Sequence, residues 1–389
     1  MVDRLSETDS VGRVVDARRL TQASAVRRIA ERCSARRWLS LATCVGALAL
    51  IAGACGSSEP SQPAATGAEL TVMTQNLFIG VDVATVLSVD DPDEVADVID
   101  GLFAEALASD FPTRAEAIAR TIAQYAPDVI GLQEAALWRV QSPPDSTATP
   151  AETIAIDFLE ILLDALRAQG LSYEAASIRD GVDLEVSGNT QDVRLTDRDV
   201  LLVREGTQVE AATAGDYETN VVVPSPLEFD VAIPRGWAAL DVLVDGTRVR
   251  IVNTHLEVRL FAGVQEVQAA ELRAGPTGVA GPLVVLGDMN AGPSDTSIET
   301  YAILLGDDLE DAWVQSGSEI SDPDGATCCY ATTLEPEARA LSRRIDIVAV
   351  GGGARAVAAT RVTDEPSERT AADIWASDHA GVVVTIDVP

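Results

Sequence analysis

The sequence predicts one large α/β domain, and three observations carry the prediction. Apolar runs of strand length recur from residue 70 to the C-terminus, segments with helical periodicity fall between them, and 47% of the 389 residues are hydrophobic, enough for a packed core. The 23% of charged residues are dispersed along the chain, which excludes a disordered tail or a coiled coil. Residues 39–54 form the one continuously apolar stretch, too short and too near the start for an ordinary spanning helix, so a multi-pass membrane protein is excluded as well. No repeat of solenoid type occurs.

The elements follow a clear order. Residues 1–54 read as a signal peptide: Arg27, Arg28, Arg32, Arg36 and Arg37 precede "WLSLATCVGALALIAGAC", a basic region, an apolar region and small residues before a cysteine. The "AGAC" end resembles a bacterial lipoprotein signal, which implies cleavage before Cys55, a lipid on its thiol and a membrane anchor there. Ala52 stands where a larger aliphatic residue is more usual, and a plain secretory peptide or an uncleaved anchor are the alternatives. Residues 55–68 have the Ser, Pro and Gly content of a flexible tether, and the domain is expected over 69–389.

Charge and cysteine usage agree with export. The whole chain carries −33; cleavage removes nine arginines and five acids, leaving 19 basic and 56 acidic side chains, or −37 over 335 residues. Such a surface lacks the basic footprint of a nucleic-acid binder, so a polyanionic substrate would depend on a metal and a few arginines. Beyond the signal and Cys55 only Cys328 and Cys329 remain, which is no disulfide scaffold. These neighbours are either a vicinal disulfide or two thiols packed in a loop.

Within the domain, strands are expected at 70–77, 129–132, 200–204, 238–244, 249–254, 283–286, 345–350 and 382–388, and helices at 92–108, 113–125, 152–169 and 264–273. Polar residues concentrate where these strands end. The first strand ends in Asn76, whose amide could ligate a cation, hold a phosphate oxygen or cap a turn. "PDVIGLQEA" runs apolar into Gln133 and Glu134, and a carboxylate there is a hard-cation ligand or an ordinary loop acid. Both histidines of the chain, His255 in "NTHLE" and His379 in "SDHAG", sit beside polar partners at strand edges, which favours function over a structural role. In "GPLVVLGDMN", Asp288 and Asn290 stand two apart; on an extended chain both face the same side, an acid to ready a water and an amide to hold a phosphoryl oxygen. Asp346 stands at the second position of a β run in "RRIDIVAV", Asp378 precedes His379, and a buried carboxylate could fix an imidazole tautomer. The acidic segment 80–112 lengthens the connection after the first strand; it is either a rim beside the site or a solvated helical insertion.

Taken in order, "QNL", "LQE", "NTHLE", "GDMN", "RIDIV" and "SDH" resemble the endonuclease/exonuclease/phosphatase superfamily, relatives of deoxyribonuclease I, abasic-site endonucleases, neutral sphingomyelinases and inositol polyphosphate phosphatases. The resemblance spans 69–389. It implies a four-layer α/β/β/α sandwich, two mixed sheets packed face to face with helices outside. It implies Mg²⁺ as cofactor, with Mn²⁺ or Ca²⁺ as substitutes, held by Glu134, Asn76 and Asp378. Asp288 and Asn290 would position water and phosphoryl group, His379 paired with Asp346 would exchange a proton, and His255 would bond the phosphate from the other side. Asp197 in "LTDRDVLLVR" lies where relatives place the acid that orients the first histidine, and Arg235 lies near a phosphate-contacting arginine. The expected partner is a phosphoester, either nucleic acid held without a basic surface or a small or lipid-borne phosphate; no protein partner is inferred. The rival of another class is a catalytically inactive surface lipoprotein that uses the scaffold as a binding module.

Overall fold

The computed structural model describes residues 14–16, 68–83, 85, 89, 91–224, 230–318, 325–338 and 340–389. Apart from residues 14–16 and Ala68, the expected signal peptide and tether, with Cys55, lie outside the described residues. The strands are β1 Val14–Asp16, β2 Ala68–Asn76, β3 Val129–Gln133, β4 Leu137–Gln141, β5 Thr153–Asp157, β6 Tyr173–Ser187, β7 Asp192–Arg204, β8 Gln208–Asp216, β9 Asn220–Val223, β10 Val231–Ile233, β11 Gly236–Val244, β12 Thr247–His255, β13 Leu283–Asp288, β14 Leu309–Asp311, β15 Asp346–Gly351, β16 Arg355–Val362 and β17 Gly381–Val388. The helices are α1 Val95–Ala108, α2 Phe111–Tyr125, α3 Phe158–Ala168, α4 Ala262–Ala274, α5 Thr300–Leu305 and α6 Ala312–Ser316. Among the described residues no helix is long and apolar enough to cross a membrane.

Two mixed sheets form the body. One runs β16-β17-β2-β3-β7-β4-β5, with β6 also paired to β7; the other runs β14-β15-β13-β12-β11-β8. β2 with β3 and β12 with β13 are the parallel pairs of these sheets, and each parallel pair has a helix in its crossover, as parallel strands require. Alternation puts Leu70, Val72, Val129 and Leu201 of the first sheet against Leu240, Val249, Ile251, Val284 and Leu286 of the second. Outside the first sheet, Ile99, Phe103, Ile118, Ile122 and Leu162 of α1, α2 and α3 cover Met73, Ile130, Leu132 and Leu202. Outside the second, Ala269, Leu272 and Leu304 of α4 and α5 cover Val252, Val285 and Ile347. The layers are therefore α/β/β/α, the sandwich that the motif order implies. A small separate sheet joins β1, parallel to β9, and β10.

Several elements differ from the sequence expectation. Residues 153–157 are not helix: "TIAID" alternates and pairs with β4, and α3 starts only where the Asp157 carboxylate caps the amides of Leu159 and Glu160. β7 begins at Asp192 rather than at residue 200, because its polar half finds partners across the sheet: Arg194 pairs with Asp183 on β6 and Arg198 with Asp157. Its apolar signal is missing for that reason alone. The acidic insertion packs on the β6–β7 turn, where Asp97 accepts from the Asn189 side chain and Asp100 from the Asn189 amide.

One polar side chain crosses the apolar interface. Asn253 on β12 accepts from Gln133 Nε2 at 2.7 Å and donates to Leu132 O at 2.9 Å and Val200 O at 3.1 Å, while Gln133 also donates to Thr74 Oγ1. Gly131 makes room for it, since a Cβ there would lie 2.8 Å from Asn253 Oδ1 and 2.0 Å from a Leu286 methyl. Replacing Asn253 with Ala leaves buried donors and acceptors unpaired and is expected to cost about 2–4 kcal/mol, read as a lower urea midpoint. An unchanged midpoint would show that the clamp contributes nothing.

Candidate active site

Register assembles the site. His255 ends β12 directly opposite Asp288 at the end of parallel β13, and Asp288 faces Asp346 at the start of antiparallel β15. In the other sheet Asn76 ends β2 opposite Gln133, and Glu134 follows it. The two sets face each other across the sandwich edge: Asn76 Nδ2 donates to Glu134 Oε1 at 3.0 Å and to Asp288 Oδ2 at 3.2 Å. Its own oxygen is taken by the Phe78 amide at 2.9 Å. Asn76 thus turns its N–H₂ group to the two carboxylates.

Asp346 and His379 form a hydrogen-bonded pair, with Nδ1 at 2.9 and 3.1 Å from the two carboxylate oxygens. The other ring nitrogen points at Asp288 Oδ2, 3.8 Å away. Burial opposes charge on this imidazole, but Asp346, Asp378 and Asp288 outweigh it and raise its pKa well above the usual value. His255 is the reverse case. Burial, with Arg235 and His379 adding to it, holds its pKa well below the usual value, so the neutral ring accepts from Asn290 Nδ2 at 3.2 Å.

Asp288 and Asn290 do converge, although not by extension. β13 stops at Asp288, Asn290 takes a left-handed φ of 49°, and its amide bonds back to Asp288 Oδ1 at 2.8 Å. Gly287 permits the close pairing before this turn: its φ is 143°, and a Cβ would lie 1.9 Å from Thr254 O. Burial lifts Asp288 to about 6 against the opposing charge of His379, with Asp346 adding to the rise. Asp378 is likewise lifted to about 6 by burial and Glu134, and Glu134 itself is raised by burial and by Asp197. Asp378 Oδ1 is buried with no hydrogen-bond partner.

Asp288, Asp346 and His379 offer ligand atoms within 4.8 Å of one another, a spacing that fits a metal. The hydrogen-bonded pair argues against that use, because an imidazolium donates protons and does not ligate. Glu134 and Asp288, by contrast, are joined only through the Asn76 amide, and Glu134 acts on Asp378 through its charge.

The remaining expected residues lie on the same side. Asp197 makes no hydrogen bond to either histidine; its carboxylate faces Arg235 at 3.9 Å, and Arg235 reaches buried Glu257 at 3.8 Å. Sequence reading missed Glu257, two positions past His255, and the buried pair of Arg179 with Asp199, whose carboxyl is pushed up to about 7 by burial and Asp197. It also missed Arg114, which donates to Leu77 O, Phe78 O and Ala376 O, tying the loop after β2 to the loop before His379. An arginine on an amphipathic helix carries no signal of such burial. The two cysteines are disulfide-bonded to each other.

A family model, Endonuclease/Exonuclease/phosphatase family, matches residues 99–379. Similar solved structures include truncated TDP2 of Caenorhabditis elegans, at 17% identity and TM-score 0.47, covering 82% of this chain and 98% of that one. Another is the endonuclease/exonuclease/phosphatase from Beutenbergia cavernae, at 23% identity and TM-score 0.49, covering 82% and 72%. A third is TDP2 of D. rerio complexed with single strand DNA product, at 13% identity and TM-score 0.46, covering 82% and 99%. No curated protein matches the chain.

The raised carboxyls give a pH signature. A carboxyl whose folded pKa exceeds its unfolded value of about 3.9 favours the fold while protonated, and that contribution is lost as pH rises through the folded pKa. In EDTA the melting temperature is expected to fall between pH 5 and 7, as Asp288 and Asp378, both near 6, ionise in a crowded site. Mg²⁺ should recover more of it at pH 7.5 than at pH 5. Equal recovery at both values, by scanning fluorimetry, would count against a cation bound among these carboxylates.

Proposed function

The chain belongs to the endonuclease/exonuclease/phosphatase family, whose members are generally hydrolases of phosphoester bonds, and we propose that it is an exported, divalent-cation-dependent phosphoesterase working by direct attack of water. The observation that carries this reading is the His379–Asp346 pair aimed at Asp288, with Glu134 joined to Asp288 through Asn76.

A divalent cation fits the residues present. Three carboxyls with pKa values raised by burial, and the unpartnered Asp378 oxygen among them, are hard donors in need of positive charge. Glu134 and Asp378, with Asn76 beside them, would hold the ion, Mg²⁺ or its Mn²⁺ and Ca²⁺ substitutes, and when bound it neutralises the anionic phosphoester. The chain's own groups do the rest. Asp288, with a pKa near 6 and fixed by the Asn290 amide, can accept the proton of an attacking water near neutral pH. His379 holds a proton that Asp346 stabilises, and it donates to the phosphoryl group or leaving oxygen. Asn290, bonded to His255, and Arg235 would supply contacts for phosphoryl oxygens. No side chain need form a covalent intermediate.

For the substrate, the charge balance favours a compact or lipid-presented phosphoester over a long polyanion. Export and an anchor at Cys55 complete the proposal; cleavage before Cys55 would remove β1 and leave β9 and β10 as a hairpin.

Hydrolysis of bis-p-nitrophenyl phosphate is expected with Mg²⁺, to be abolished by EDTA, and to fall about 10³-fold in kcat in His379→Ala or Glu134→Gln. A panel of plasmid DNA, RNA, sphingomyelin and inositol phosphates then ranks substrates. Failure of every phosphoester to turn over would leave the binding-module reading. Mass spectrometry of the mature protein is expected to find an acylated Cys55 as first residue; any other N-terminus removes the anchor.

A further inference from the structure

The segment 327–330 lies between the two strands that carry the His379–Asp346 pair and bonds to both. Cys328 bridges Arg343 on one side and His379 on the other. Toward Asp346, the Thr327 and Cys328 amides donate to Arg343 O at 2.7 and 2.9 Å, and Thr327 Oγ1 accepts from the amides of Ile345 and Asp346, both at 3.1 Å. Toward His379, the Ala380 amide donates to Thr327 O at 2.6 Å, and the amides of Cys329 and Tyr330 both donate to Asp378 O, at 3.1 and 3.0 Å. Cys329 has a φ of 96°, a conformation that an L-residue other than glycine rarely takes, and in that turn its amide and that of Tyr330 both reach Asp378 O. The disulfide between Cys328 and Cys329 closes a ring around that peptide and holds the residue there.

We propose that the Cys328–Cys329 disulfide is a positioning element for the His379–Asp346 pair. The ring fixes the backbone turn, the turn holds Asp378 O and the bridges on either side, and these set the imidazole against its carboxylate. Its kinetic consequence rests on the hydrolytic reading of the pair; its structural one does not. A dithiol opens the ring: one of its thiolates attacks a cysteine sulfur and releases the neighbouring cysteine thiolate, and its second thiolate then attacks the dithiol sulfur of the mixed disulfide and releases the other cysteine thiolate. Two electrons pass to the protein sulfurs, the released thiolates take up the two protons the dithiol gives up, and the dithiol leaves as a cyclic disulfide. Cys329 then returns to an ordinary negative φ, and its amide and that of Tyr330 no longer converge.

The chain has only two histidines, so the imidazole NMR signals of the full-length protein assign themselves by comparison with His379→Gln. On dithiol reduction the His379 signals are expected to shift or broaden while those of His255 stay in place. With bis-p-nitrophenyl phosphate, kcat should fall about 10-fold and KM change by less than about 2-fold, since the loss is one of orientation rather than of binding. The Cys328→Ser/Cys329→Ser double variant should match the reduced protein and ignore the dithiol. Unmoved His379 signals would overturn the proposal, and so would movement of both histidines together, which would mean that the bond holds the fold and not the pair. Should the intact enzyme turn over no phosphoester, the functional reading fails by itself and the histidine signals still decide this one.

Discussion

The site depends on how the two sheets are locked across their shared apolar interface. Hydrophobic packing between Leu and Val faces sets a spacing but tolerates sliding, since it is non-directional. Asn253 removes that freedom. Its bonds to Gln133 and to the carbonyls of Leu132 and Val200 fix β12 against β3 and β7, and the residues that follow these anchors are His255 and Glu134. An uncompensated amide in that place would be costly, so any slippage that breaks the three bonds is penalised. The polar groups of the site inherit their mutual positions from this lock and from the β12–β13–β15 register.

A second consequence of burial is electrostatic. Glu134, Asp288, Asp346, Asp378 and Asp197 crowd one region of a chain that is already strongly acidic, and desolvation pushes several of them toward the neutral form. The protein offsets part of this with fixed cations. Arg114 lies within the field of Asp378 and Glu134, and although burial lowers its pKa to about 10 it remains charged at neutral pH. Arg235 is held charged against its burial by Glu257, Asp197 and Asp199. Glu134, Asp378 and Asp288 nonetheless keep raised pKa values, because burial outweighs what these cations supply.

Much of this was legible in the sequence because chemistry sits where strands stop. The parallel strands β3 and β13 are buried on both faces, so they read as apolar runs, and a polar residue at their ends stands out. Asn76, Glu134, His255, Asp288, Asp346 and His379 were found that way, and the structure gathers them at one edge. What stayed hidden lacked an apolar contrast. β6 and the first half of β7 pair through Arg194, Asp183, Arg139 and Thr196, so charge complementarity replaces alternation and the strands vanish from a hydropathy reading. Arg114 hides for the opposite reason: its helix looks solvent-facing, and only the carbonyls of two distant loops reveal its place. Glu257 sat inside a recognised motif, but its role depends on Arg235, 22 positions earlier, and no local spacing links them.

Backbone conformation explains why the loops at this edge resist reading from composition. Phe78, Glu134, Asn290 and Cys329 all have positive φ, between 49° and 96°, and none is glycine. Glu134 directly follows β3, Phe78 and Asn290 lie two residues past β2 and β13, and Cys329 follows the bridge to Arg343 and His379; these turns let the Phe78 amide hold Asn76, Glu134 bring its carboxylate to the Ile79 amide, and Asn290 bond back to Asp288. Glycine would adopt these angles without steric cost, yet at Glu134 and Asn290 it would delete the functional group, and at Cys329 the covalent ring. Such conformations cost on the order of 1 kcal/mol each and persist only where surrounding bonds over-determine them. At this edge the bonds that over-determine them come from Asn76, Asp288 and Asp378 O, so the same contacts hold both the turns and the polar groups of the site.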